Sequence, residues 1–190
     1  MRDRLEPGVL LYSVDYPQRS SRVLIFFRWL LIIPQVLVLY LMGIAVGFVT
    51  FIAWFAILFT GKFPRGMWDF CVGYQVWTSN VLAYLLMQRD EYPPFGSIDY
   101  PVDYDLVYPA RMSRLLIFVK WLLILPHAFV LAFLGLVACV VLILAWFAVL
   151  FTGRYPQRFF NFVGGLSRWS SRVNAYQFLL TDQYPPFSMN

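Results

Sequence analysis

The chain of 190 residues offers one histidine, two cysteines and ten acidic residues from which a reactive site could be assembled. Covalent or acid–base catalysis needs a nucleophile beside a base, or paired carboxylates. His127 stands alone, so a histidine-based metal site or proton relay lacks partners. Cys71 and Cys139 sit in apolar stretches with neither a CxxC nor a CxxH neighbour, which reads as packing. Asp69 is the one acid inside an apolar segment, whereas Asp90, Glu91, Asp99, Asp103, Asp105 and Asp182 fall in linkers and loops. Asp99, Asp103 and Asp105 carry oxygens that could chelate a cation, but an acidic solvated linker is the simpler reading. Gly164-Gly165 lacks the following Lys and Ser/Thr of a phosphate loop. These spacings predict no catalytic residue, no cofactor, no metal and no enzyme.

Two other sets of polar residues remain. Pro34 and Pro126 fall inside long apolar runs, where each removes a backbone donor and tends to kink a helix. Gln35 and His127 follow them at depth, and an interhelical hydrogen bond is the expected use, with a site as the alternative. The second set is basic. Arg19, Arg22, Arg111 and Arg114 precede the apolar runs, and Arg168 and Arg172 share a helical face with Asn161 and Gly165. These six arginines are expected to form a cytoplasmic belt for anionic lipid headgroups.

The elements that must carry these residues are set by composition. Hydrophobic residues make up 61% of the chain and aromatic ones 20%, while charged residues are only 13%. A soluble domain carries about 25% charged residues, so the apolar surplus calls for a membrane. Disordered chains, disulfide-stapled secreted modules and basic nucleic-acid binders are excluded by the same balance. A net charge of +5 is most simply placed on cytoplasmic loops. Met1 to Tyr16 contains Glu6, Pro7 and Asp15, unlike a signal peptide.

The segment from Tyr16 to Phe95 recurs from Tyr108 to Phe187 without a gap. Roughly half of the aligned positions are identical, far above what shared hydrophobicity gives. Tyr16-Pro17 matches Tyr108-Pro109, Arg19 and Arg22 match Arg111 and Arg114, and Pro34 matches Pro126. Trp54-Phe55-Ala56 matches Trp146-Phe147-Ala148, and Tyr92-Pro93-Pro94-Phe95 matches Tyr184-Pro185-Pro186-Phe187. The pattern Tyr-Pro-x-Arg-x-Ser-Arg, then Trp-Phe-Ala-x-Leu-Phe-Thr-Gly-x-x-Pro, then Asp-x-Tyr-Pro-Pro-Phe resembles the bacterial membrane family of domain of unknown function 4389, in tandem. That resemblance covers nearly all of the chain beyond Leu10. It implies an integral membrane protein and supplies no catalytic or ligand-binding residue. Copy one departs from copy two at Asn80, where copy two has Arg172.

Each copy divides into three parts. Apolar or aromatic residues fall at every second position at Leu10, Tyr12, Val14 and Tyr16, and Val102, Tyr104, Leu106 and Tyr108 repeat this with Asp103 and Asp105 between them. Period-two alternation predicts a strand, with an extended linker as the alternative, and the natural partner of each strand is its copy. The apolar runs 23–59 and 115–151 would each make one helix of about 55 Å. The hydrocarbon core is about 30 Å thick, so each run is expected to fold as a transmembrane hairpin turning near Met42-Gly43 or Leu134-Gly135. Arg28 or Lys120 would snorkel near the start. Basic residues at both ends of each run fit an even number of crossings. The third parts, 64–88 and 156–180, predict amphipathic interfacial helices, with a third crossing left open.

The predicted fold is therefore an all-α integral membrane protein of two tandem repeats, each a transmembrane helical hairpin plus an amphipathic interfacial helix, with a short extended segment before each repeat. Residues 1–95 form the first unit, 96–107 an acidic aromatic linker or strand, and 108–190 the second. The expected location is the cell membrane, multi-pass, with cytoplasmic termini. The expected function is a non-catalytic accessory or scaffold subunit that docks to other membrane helices or to itself and binds anionic lipid, without nucleic acid. An oligomeric pore or transporter, or a membrane-shaping hairpin protein, are the alternatives.

Overall fold

A computed structural model describes residues 9–190. Strand β1 covers Leu10–Val14, helix α1 Leu24–Leu31, α2 Ile33–Thr60 and α3 Arg65–Leu85. Strand β2 covers Val102–Leu106, α4 Leu116–Thr152 and α5 Gln157–Gln177. The chain is mostly helical and built from a repeated unit. The stretches Leu24–Thr60 and Leu116–Thr152 are long and apolar enough to cross a membrane.

The hairpins expected over 23–59 and 115–151 do not form. Helix α4 runs unbroken for 37 residues, and in copy one the only interruption is Ile32, between α1 and α2. Pro34 sits in the first turn of α2, where its missing donor costs no helical hydrogen bond, while Pro126 stays inside α4. Gly43 makes no turn. A β-carbon there would lie 3.0 Å from the Tyr74 hydroxyl, so this glycine serves the close approach of α3. The turns come later, where Gly61 and Gly153 adopt φ of +71° and +68° and end α2 and α4 in the left-handed conformation that favours glycine. Pro64 and Pro156 then begin the next helices. The hairpin of each copy is thus a long apolar helix followed by α3 or α5.

The strands pair antiparallel, with Tyr12 opposite Tyr104. Those two tyrosines are equivalent positions of the two copies, so a pseudo-twofold axis passes between them. The same symmetry appears in reciprocal hydrogen bonds that interlock the copies. Ser20 N–H donates to the Gly153 carbonyl at 3.0 Å and Met112 N–H to the Gly61 carbonyl at 2.9 Å. Likewise Tyr16 donates to the Tyr155 carbonyl and Tyr108 to the Phe63 carbonyl.

Edge-to-face ring pairs set the direction of the long helices. Phe26 meets Trp146 with centroids 5.2 Å apart, and Trp54 meets Phe118 at 5.0 Å. The start of one long helix therefore touches the end of the other, and the two run antiparallel. Helix α2 packs on α3 and α4 on α5, while β1 lies against α5 and β2 against α3. Three layers result, with the long helices on one side, α3 and α5 in the middle and the sheet on the other side. Each long helix buries one stripe, in copy one Ile25, Arg28, Ile32, Gln35, Leu39, Val46, Ala53 and Ile57. The rest of its circumference, including Phe26, Leu37, Tyr40, Phe48 and Phe59, is apolar and exposed.

Candidate functional site

Two buried charges lie in the stripes that the long helices press against the middle layer. Arg28 is 1% exposed and its Nη2 donates to Asp90 Oδ1 at 2.8 Å, while Nη1 donates to the Tyr84 carbonyl. Its copy-two equivalent, Lys120, is 2% exposed, pairs with Asp182 at 2.8 Å and donates to the Thr181 carbonyl at 2.7 Å. Each carboxylate also accepts a backbone donor from the segment ahead of the helix, Ser21 for Asp90 and Ser113 for Asp182. A buried charge demands a counter-charge, and each clamp supplies one together with a backbone carbonyl as a second acceptor. Neither cation snorkels. Sequence reasoning left Asp90 and Asp182 as loop acids, although the recurrence of a cation at 28 and 120 with an acid at 90 and 182 was a visible signal.

The polar residues beside the prolines face the middle layer too. Trp77 Nε1 donates to Gln35 Oε1 at 2.8 Å, and Gln35 Nε2 donates to the Pro93 carbonyl at 2.7 Å. In copy two, Trp169 Nε1 donates to His127 Nδ1 at 3.1 Å, which places the imidazole proton on Nε2. Phe187 stacks on that ring with centroids 3.8 Å apart. The Tyr-Pro-Pro-Phe loops thereby close over the start of each long helix. One polar acceptor at this position is required in each copy, and glutamine already fills it in copy one. Hence His127→Gln should shift the thermal midpoint in detergent by little, whereas His127→Ala should cost about 2–3 kcal/mol, because the Trp169 N–H is left unpaired beside a cavity. Equal destabilisation by both would show that the ring, not the acceptor, matters.

The six arginines do not form one belt. Arg19 and Arg22 lie at the end of the molecule where α4 finishes, with Arg22 Nη2 donating to the Phe151 carbonyl at 3.2 Å. Arg111 and Arg114 lie at the opposite end, where α2 finishes, with Arg114 against Gly61. Arg19 and Arg111 are exposed. Arg168 and Arg172 turn toward the chain itself. Arg168 donates to the Tyr12 and Met189 carbonyls at 2.9 and 3.0 Å, and Arg172 to the Ser188 and Asn190 carbonyls at 2.7 and 2.8 Å. The basic stripe of α5 thus holds β1 and the C-terminal segment, because the face that carries it is covered by them.

The acids of the linker stay on the sheet side, where Asp103 is exposed and accepts from Ser13 at 3.1 Å. No three of His, Cys, Asp and Glu converge among the described residues. Where α3 crosses α5, polar residues from both copies meet beneath the sheet, among them Gln75, Ser79, Ser170 and Ser171. Tyr12 reaches the same place. Burial pushes its phenol up to about 12, so it remains neutral, and it bonds with Ser167.

The model of one family, described as Domain of unknown function (DUF4389), matches the chain twice, over residues 22–97 and 114–189. No curated protein and no solved structure matches.

Proposed function

Because this chain belongs to the family of domain of unknown function DUF4389, as two tandem copies, and carries its charge clamps as architecture, we propose that it is a non-catalytic membrane scaffold lying within one leaflet. One observation carries this reading. The sheet, with Asp103 exposed, sits over the middle of the long helices, on the pseudo-twofold axis. If those helices crossed the bilayer, the axis would lie in the membrane plane and the carboxylate would face the hydrocarbon centre, where a charge is costly.

With the helices in the membrane plane, the axis becomes the membrane normal and every layer finds its solvent. The exposed apolar faces enter the acyl region, α3 and α5 lie near the headgroups, and the sheet faces water. A helix of about 55 Å then has no thickness to match. Basic residues at both ends of each run all reach the same surface, which meets the charge pattern without a hairpin turn. A body wedged into one leaflet also favours the membrane-shaping alternative as a second role. Within one chain this arrangement offers no path through the bilayer, so a pore is not carried forward.

Arg19 and Arg111, exposed at the two ends, would hold anionic headgroups at roughly 1 kcal/mol each, less as salt rises. The double variant Arg19→Gln with Arg111→Gln should lose most of the preference for anionic over neutral vesicles in a flotation assay at low salt. Arg168→Gln with Arg172→Gln should leave that preference intact. The reverse pattern would return the headgroup role to α5 and refute the proposed orientation.

A further inference from the structure

Leu86 stands between two cavities, one apolar and one in which polar side chains interrupt an apolar wall. On one side an apolar groove of about 400 Å³ runs between α1 and α4, lined by Trp29, Met87, Cys139, Leu142, Ile143 and Trp146. On the other a smaller cavity of about 200 Å³ opens at the crossing of α3 and α5, where Gln75, Ser79, Ser170 and Ser171 sit among apolar residues such as Leu82 and Val163. Leu86 lines both.

The mixed cavity selects for an uncharged group. None of its lining residues is ionised, so a charged group inside would be buried without a counter-charge. Gln75 is 3% exposed and its Nε2 has no partner, a buried donor that calls for an acceptor. The Thr78 and Ser79 hydroxyls donate to the Tyr74 and Gln75 carbonyls, each at 2.8 Å, which leaves their lone pairs to accept. A polyol both donates and accepts and meets each of these needs.

The groove also gives little hold to an anion. Arg28 lies at its wall, but Asp90 and the Tyr84 carbonyl hold its terminal nitrogens and only Nε has no partner. The pseudo-equivalent groove of the other copy, about 620 Å³ and lined by Thr50, Trp54, Lys120 and Trp121 among others, shares no lining residue with the mixed cavity. There Phe178 replaces Leu86 and packs edge to face against Tyr74 at 6.5 Å. The junction is therefore single.

We propose that groove and cavity together bind one single-chain amphiphile with an uncharged polyol head, of the monoacylglycerol class, its head among the Gln75 and serine groups and its chain along Trp29, Leu142 and Trp146. The inference rests on the single-leaflet reading, which puts the mouth of the groove in hydrocarbon. The proposal requires the Leu86 side chain, which lines both spaces, to turn aside as the ligand enters.

The test is mass spectrometry of the intact chain released from detergent micelles after titration with monoolein, oleate or lysophosphatidic acid. One monoolein should bind per chain, at least tenfold tighter than either anion. Leu142→Trp, which fills the groove, and Gln75→Leu with Ser170→Val, which removes the unpaired amide donor and one hydroxyl from the cavity, should each weaken it tenfold or more. Thr50→Trp, which fills the other groove, should not. Tighter binding of oleate, two monoolein molecules of which Thr50→Trp removes one, or no saturable binding would each overturn the proposal. Two-sided maleimide labelling of the same chain in sealed vesicles separates the two readings: a chain whose helix ends label from one side yet binds no monoolein keeps its orientation and loses this site, and a chain whose helix ends label from opposite sides loses the orientation.

Discussion

Arg28→Met is expected to cost about 3–5 kcal/mol of folding free energy, because it strands Asp90 beside an apolar interior. Asp90 is 24% exposed on its side chain against 1% for Arg28, so water reaches the acid only in part. The lost cation also held the Tyr84 carbonyl, the last turn of α3 and the loop that follows. Arg28→Lys should cost much less, since Lys120 does the same work in copy two. The double variant Arg28→Met with Asp90→Asn should recover much of the loss, as removing both partners of a buried pair does. Unfolding followed by circular dichroism in detergent measures all three. A single variant as stable as the parent would mean that the clamp is solvated.

The second large effect is expected at Trp68, where the two copies join. The ring is buried, meets Tyr108 edge to face at 5.2 Å, and its Nε1 donates to the Leu180 carbonyl at 3.1 Å. Trp68→Ala should cost about 3–5 kcal/mol, the range for emptying a large aromatic site. Phe160 fills the equivalent position of copy two, against Tyr16 at 5.0 Å. Trp68→Phe should therefore keep the packing and lose about 1 kcal/mol for the hydrogen bond. If Trp68→Ala unfolds only residues 65–85 and leaves copy two intact, the copies are not one cooperative unit.

The duplication, the strand segments and the third helices were legible because each is written in side-chain pattern or in identity between copies. The helix ends were written too, in Gly61-x-x-Pro64 and Gly153-x-x-Pro156. The apolar hairpin was misread because two short crossings and one long helix satisfy the same length and the same terminal arginines. What separates them is the buried stripe through Arg28, Gln35, Leu39, Val46, Ala53 and Ile57, whose spacing of four and seven continues without a reset across Met42-Gly43. A hairpin would have broken that phase.

The stripe of Arg168 and Arg172 was legible as a face, but not its purpose. Its partners are carbonyls of Tyr12, Ser188, Met189 and Asn190, and a backbone oxygen leaves no mark in a sequence. The clamps were hidden for another reason. Arg28 and Asp90 are 62 positions apart, and only the antiparallel return of α3 brings them together.

The orientation of the long helices is tested most directly by impermeant maleimide labelling in sealed vesicles, from inside and outside separately. Single cysteines replace Arg19, Tyr40 or Lys62, all exposed, in a chain whose Cys71 and Cys139 are alanine. A chain lying within one leaflet labels at Arg19→Cys and Lys62→Cys from one and the same side, and at Tyr40→Cys from neither. Labelling of Arg19→Cys and Lys62→Cys from opposite sides would mean a helix that crosses, and labelling of Tyr40→Cys from the far side a hairpin. Either result contradicts the single-leaflet scaffold.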